Sequence, residues 1–213
     1  SLSNGDEDVK FNLNGSDRLI TRSLQNWHTH LAMILNRGTG EDLPLQRWLE
    51  DIIFPTEKKL TSELVELGTK ASCAELIATG TTFACDMYYF PKQMAAGLIE
   101  SGIRGIAGGT ITDFPTTSYP EGANQAINDL DNLLKEGTGN SRVEYAVAPH
   151  AIYTCGKESL IKASELSRKH NSYLLTHASE TRNEVANCKK ENGCYPIEYL
   201  ESIGFLESNK SVL

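Results

Sequence analysis

No run of eighteen apolar residues occurs anywhere in the sequence, and its opening, Ser1-Leu2-Ser3-Asn4-Gly5-Asp6-Glu7-Asp8, has neither the basic nor the apolar region of a secretory leader. A cytoplasmic protein that enters no membrane is the expectation. Cations are scarce as well: 20 Lys and Arg stand against 28 Asp and Glu, for a formal net charge of −8. Phosphate groups are held by clustered Lys and Arg, so nucleic acid and anionic membranes are poor partners and a small molecule is the better one. The five cysteines (Cys73, Cys85, Cys155, Cys188 and Cys194) are odd in number, widely scattered and never in a C-x-x-C pair. Neither a disulfide framework nor a thiolate zinc site is indicated, and they read as reduced thiols that mostly fill core. Internal repeats and low-complexity tracts are missing too.

What is present suffices for one core, since 39% of the 213 residues are hydrophobic. Short β-rich runs at 24–30, 81–86, 103–111, 142–148 and 172–176 alternate with segments of helical period at 56–79, 91–101, 120–136, 156–169 and 182–202. The last three residues resemble a sixth strand beginning. This alternation is the pattern of βα units around a parallel sheet. Five complete units fit an open doubly wound sheet by count alone, because a (β/α)₈ barrel needs eight.

The histidines reverse that preference. In Asn26-Trp27-His28-Thr29-His30 two imidazoles one residue apart end an apolar run. Positions i and i+2 of a strand face the same side, so both rings can converge on one metal; alone, such a pair serves equally well as hydrogen-bonding groups in a loop. His177, in Thr176-His177-Ala178-Ser179-Glu180-Thr181, again ends an apolar run, and His150 follows the fourth strand in Ala148-Pro149-His150. Parallel barrels gather their active sites at the C-terminal ends of their strands, where His28, His30 and His177 can meet. Three neutral imidazoles suit Zn²⁺ or Fe²⁺. Glu180 would then stand beside the metal, placed to carry a proton, although an acid before a helix is also common for dipole reasons alone. His150 could be a further ligand or could hydrogen-bond a heterocycle nitrogen, whereas His170, after Arg168-Lys169, reads as a solvated residue at a helix end.

These residues resemble the amidohydrolase superfamily, in particular its branch of S-adenosylhomocysteine/methylthioadenosine deaminases and triazine chlorohydrolases. The likeness extends from Asn26 to Leu213 through Arg37-Gly38, Trp48-Leu49-Glu50, Phe54-Pro55 with Glu57, Gly80-Thr81-Thr82, Asp86-Met87-Tyr88, Gly102-Ile103-Arg104, Tyr153-Thr154 and His177-Ala178-Ser179-Glu180-Thr181. It implies an α/β fold, a TIM-type (β/α)₈ barrel of the metal-dependent hydrolase kind, here with five to six units. Residues 24–213 would form the partial barrel, and residues 1–23 an N-terminal segment left from a small β-sandwich or an artificial extension. By the same resemblance His28, His30 and His177 are ligands of one divalent metal, zinc or iron, Glu180 is the catalytic proton carrier, and His150 contacts the heterocycle. Trp48 becomes the aromatic wall of the substrate pocket and Glu57 the acceptor for ribose hydroxyls. A tryptophan in plain core and a solvated helix acid are the alternatives for those two. Pro149-His150 stands where two-metal relatives carry a bridging carbamylated lysine, so one metal is expected. A homodimer is compatible with the resemblance.

The implied reaction is hydrolytic deamination of a methylthioadenosine, S-adenosylhomocysteine or adenosine type of nucleoside: water attacks the ring carbon bearing the amino group, Glu180 protonates the neighbouring ring nitrogen, and ammonia leaves. A triazine-type chlorohydrolase could use the same ligands. The family places a further histidine at the end of the sixth strand and an aspartate at the end of the eighth, whereas the sequence stops at Ser211-Val212-Leu213. The expectation is a fragment of a longer polypeptide, inactive alone; a non-catalytic barrel fragment is the third reading. The resemblance implies that the stretch from Gly108 to Pro115 supplies arginines for the carboxylate in homocysteine-binding relatives; here it holds none, which disfavours S-adenosylhomocysteine.

Overall fold

The computed structural model describes residues 16–208 and 210–213. Six strands, β1 (Leu24–Thr29), β2 (Thr81–Tyr88), β3 (Arg104–Ile111), β4 (Val143–Pro149), β5 (Leu174–Leu175) and β6 (Ser211–Val212), form one sheet. Every neighbouring pair is parallel and the strand order is the chain order. A doubly wound sheet reverses direction at a switch point, and sequential order is instead what a barrel requires. The strands curl into a nearly closed barrel. Four strand spacings of about 4.8 Å would separate β1 from β5 by roughly 19 Å in a flat sheet. Yet an imidazole beyond β1 and one beyond β5 approach to 3.2 Å, which only a curled sheet permits.

Strands β2 to β5 are largely buried on both faces, as their near-continuous apolar character demands, whereas β1 and β6 at the two edges of the sheet are exposed or half-buried. Cys85, Met87, Ile106, Ala146, Ala148 and Leu175, from alternate positions of β2 to β5, pack together on one face. Ala84, Ala107, Val143 and Val147 on the other face meet helices, among them α3 (Ser62–Ala78), α4 (Pro91–Ser101), α5 (Ala123–Glu136) and α6 (Lys157–His170). Interior space is tight: a Cβ built on Gly108 would lie 2.6 Å from Leu175 Cδ1 and 2.9 Å from the Asp86 carbonyl. The buried Cys73, Cys85, Cys155 and Cys188 contribute small apolar volume, as their distribution suggested.

Two expected helices are subdivided. Where 56–79 reads as one helix, a short α1 (Leu45–Trp48) runs through a π turn (Leu49–Ile53) into α2 (Phe54–Glu57), and α3 begins separately behind the Thr61 cap, whose Oγ1 accepts the Leu64 N–H at 3.3 Å. The segment 182–202 splits into α7 (Arg182–Asn192) and α8 (Pro196–Ser202), because Gly193 turns into the left-handed region at φ 74° and Pro196 opens a new helix. His170 also differs from expectation. Its side chain is only 14% exposed, and Nε2 lies 2.6 Å from Asp131 Oδ1, so it bridges α6 to α5 instead of facing solvent. Most of the N-terminal segment expected at 1–23 lies outside the described residues. Among the described residues no helix is long and apolar enough to cross a membrane.

Candidate metal centre and substrate pocket

The barrel carries four of its five histidines at the C-terminal ends of β1, β4 and β5. Strict alternation does not hold at β1: between Asn26 and Thr29 its register with β2 slips by a residue, the mark of a bulge. The rings of His28 and His30 nevertheless sit 4.9 Å apart, and each lies close to His177, at 4.9 and 5.2 Å between centroids. One nitrogen from each of His28, His30 and His177 can be chosen so that all three lie within 4.8 Å of one another.

Hydrogen bonding settles which nitrogens face inward. His30 Nδ1 donates to the Met87 carbonyl at 2.6 Å, and His177 Nδ1 donates to the His150 carbonyl at 2.8 Å. Each ring has then spent its proton, and the two Nε2 lone pairs oppose one another at 3.2 Å. Two lone pairs at that distance repel unless a cation joins them. Two ligands about 2.05 Å from a tetrahedral ion lie roughly 3.3 Å apart, so the observed spacing fits a zinc-like ion. Loss of solvent at the site, with the neighbouring imidazoles, also favours neutral rings at His28 and His30: His28 is pushed down and His30 reaches about 4, although the Met87 carbonyl opposes the shift. Neutral imidazoles held by carbonyls at the outer nitrogen are the form that coordinates metals.

His150 does not join the three. Its ring stacks edge-on to His177 at 4.8 Å, its Nδ1 lies 2.9 Å from Thr154 Oγ1, and burial pushes its pKa to about 3. It lines the same pocket as His30, His177, Glu180, Trp48 and Glu57. Trp48 is partly buried, with Nε1 donating to the Thr39 carbonyl at 3.1 Å. Glu57, at the end of α2, is 9% exposed, and burial raises it to about 7 while the phenols of Tyr88 and Tyr89 partly oppose this. It is therefore not a solvated helix acid.

Glu180 is held from two sides that sequence reasoning overlooked. The Tyr153 hydroxyl donates to its Oε2 at 2.8 Å. Thr181 caps α7 by accepting the Glu184 N–H at 3.0 Å, and the buried Glu184 carboxylate reaches back to the Ser179 and Glu180 N–H groups at 3.0 and 2.7 Å. Thr181-x-x-Glu184 is a legible capping signature, but here the acid grips residues before the cap and supports Ser179 at φ 59°.

A parallel barrel with a three-histidine cluster and a carboxylate at its C-terminal mouth defines a class of metal-dependent hydrolases. The chain belongs to the amidohydrolase family, whose model matches residues 19–213. A 5'-deoxyadenosine deaminase of Methanosphaera stadtmanae is 44% identical over 199 residues, covering 92% of this chain and 46% of that protein. A 5-methylthioadenosine/S-adenosylhomocysteine deaminase of Thermodesulfovibrio yellowstonii is 44% identical over 183 residues, or 85% of this chain and 42% of that one. Among solved structures, a zinc-bound adenosine deaminase from Xanthomonas campestris superposes with a TM-score of 0.82 at 31% identity, covering 87% of this chain and 42% of its own. An atrazine chlorohydrolase from Arthrobacter aurescens shares the fold, with a TM-score of 0.76 at 18% identity over 86% of this chain and 46% of its own. The chain thus spans less than half the length of these proteins.

Proposed function

We propose that the protein hydrolytically deaminates an adenosine-type nucleoside, with one divalent metal, Zn²⁺ or Fe²⁺, held by His28, His30 and His177, and with Glu180 as its proton carrier. The observation that carries this reading is the pair of opposed Nε2 lone pairs on His30 and His177, with Glu180 lining the same pocket. The metal, when bound, would lower the pKa of a water so that it can attack at neutral pH. The chain's own groups do the rest. Glu180 receives a proton from the water and passes it to the ring nitrogen beside the amino-bearing carbon; the C–N bond then breaks and ammonia leaves with the second water proton, so the amino group becomes an oxo group. His150, whose Nδ1 faces Thr154, has Nε2 available for the heterocycle, Trp48 offers an aromatic face, and Glu57 can accept ribose hydroxyls.

Beside Glu57 the surface is apolar, with Phe54, Tyr89, Phe114 and Pro115 and the single cation Lys58. That favours uncharged 5' substituents over a homocysteine tail. Ammonia release from 5'-deoxyadenosine, methylthioadenosine, adenosine and S-adenosylhomocysteine, measured on the longest natural form of the protein, tests the reading. Faster release from the first two than from S-adenosylhomocysteine, slowed by about 10²- to 10⁴-fold in Glu180→Gln, is expected. Metal-loaded protein that releases no ammonia from any of them would overturn deamination and point to halide release from triazine-like rings.

A further inference from the structure

We propose that Asp86 is a positioning residue for the metal centre: its carboxylate replaces the broken β1–β2 ladder and fixes the turn that carries His28 and His30. The inference rests on the reading that these histidines bind a metal. Parallel strands hold one another through evenly spaced backbone hydrogen bonds, and a bulge leaves some of those groups without partners. The β1–β2 register breaks between Asn26 and Thr29, the stretch that contains His28.

Asp86 stands opposite this gap on β2 and is fully buried, at 0% exposure. Its Oδ1 accepts the Leu31 N–H at 2.8 Å and lies 3.2 Å from the Thr29 hydroxyl, so it ties the residues on both sides of His30. It also accepts the Met87 N–H at 3.1 Å, which orients the carboxylate against its own strand. Met87 in turn supplies the carbonyl that holds His30 Nδ1. Three consecutive residues, Thr29 to Leu31, are thus bound to three consecutive residues of β2, Cys85 to Met87. The second oxygen, Oδ2, is buried and meets no donor among the described residues, so the holding is done by Oδ1. A ligand ring is useful only when its backbone is fixed to a fraction of an ångström, and partners outside the ligand set are worth roughly 10- to 100-fold in metal affinity.

Cobalt(II) titration followed by d–d absorption, with zinc affinity from chelator competition, tests this on purified protein stripped of metal. Asp86→Ala should weaken binding by about 10- to 100-fold and shift the cobalt bands, whereas Asp86→Asn, which keeps an acceptor at Oδ1 and breaks no bond at Oδ2, should return affinity to within about threefold of wild type. Folded Asp86→Ala protein with wild-type affinity and spectrum would overturn the proposal, as would Asp86→Asn protein as weak as the alanine variant. Should Asp86→Ala fail to fold, Thr29→Val removes the hydroxyl, which faces both Oδ1 and the Cys85 carbonyl, and leaves the carboxylate in place. A few-fold weaker site then supports the role, and an unchanged one overturns it. Wild-type protein that takes up no cobalt would instead refute the histidine site itself, and this inference with it.

Discussion

A histidine becomes a ready ligand when one ring nitrogen is committed and the other is left bare, and His30 and His177 are both in that state. The residue types and their places at strand ends were readable from the sequence; which nitrogen faces the site was not, because the fixing carbonyls belong to other strands. The same holds for Tyr153, whose bond to Glu180 depends on a loop meeting at the barrel mouth, and for Asp86, although a carboxylate inside the apolar run Phe83-Ala84-Cys85-Asp86-Met87 is itself a signal. Glu180→Gln should keep its metal and lose about 10²- to 10⁴-fold in kcat, since the amide cannot carry the proton; metal analysis beside steady-state kinetics checks it. Glu57 gives a pH prediction. Its folded pKa of about 7 lies above the ordinary carboxylate value, so between about 4.5 and 7 the folded protein retains a proton that the unfolded chain releases. Stability must fall as pH rises through that window, and part of the fall should vanish in Glu57→Gln. Calorimetric melting at pH 5 and 7.5 would show this, and equal slopes in the two proteins would refute it.

At the scale of elements, the site depends on local departures from regularity. A bulge ends β1, a π turn carries Trp48 toward Glu57, and an acid three residues after the cap of α7 grips the Ser179-Glu180 backbone. Periodicity finds strands and helices by their apolar repeats, so β2, α4 and α5 were legible while these interruptions, which have no period, were not. Glu184→Ala should therefore leave metal binding intact, lower kcat, and destabilise the fold by about 1–3 kcal/mol through the two unpaired N–H groups. Thermal melting and turnover measured together decide between this and a purely structural acid, which would change melting alone. Helix α3 supports the turn after His30 by close contact: a Cβ on Gly68 would fall 2.9 Å from the Ala32 backbone. Gly68→Ala should cost about 1–3 kcal/mol by overpacking, read by urea unfolding, and an unchanged midpoint would show that the turn yields freely.

For the molecule as a whole, strand count and strand chemistry pulled in different directions. Five or six βα units suit an open sheet, yet the position of histidines after β1 and after the distant β4 and β5 required a curled one, and sequential strand order bears this out. Composition could not decide this, because both architectures bury parallel strands between helices. Curling is what converts residues 147 positions apart, His30 and His177, into a pair of ligands. Metal stoichiometry by plasma mass spectrometry, on wild-type protein and His177→Ala after loading with zinc and removal of excess, is the most direct test. About one zinc per chain in the wild type and close to none in the variant is the expected result. A wild-type protein that retains no metal, or a His177→Ala protein that retains as much, would contradict the assignment of His28, His30 and His177 as a metal centre.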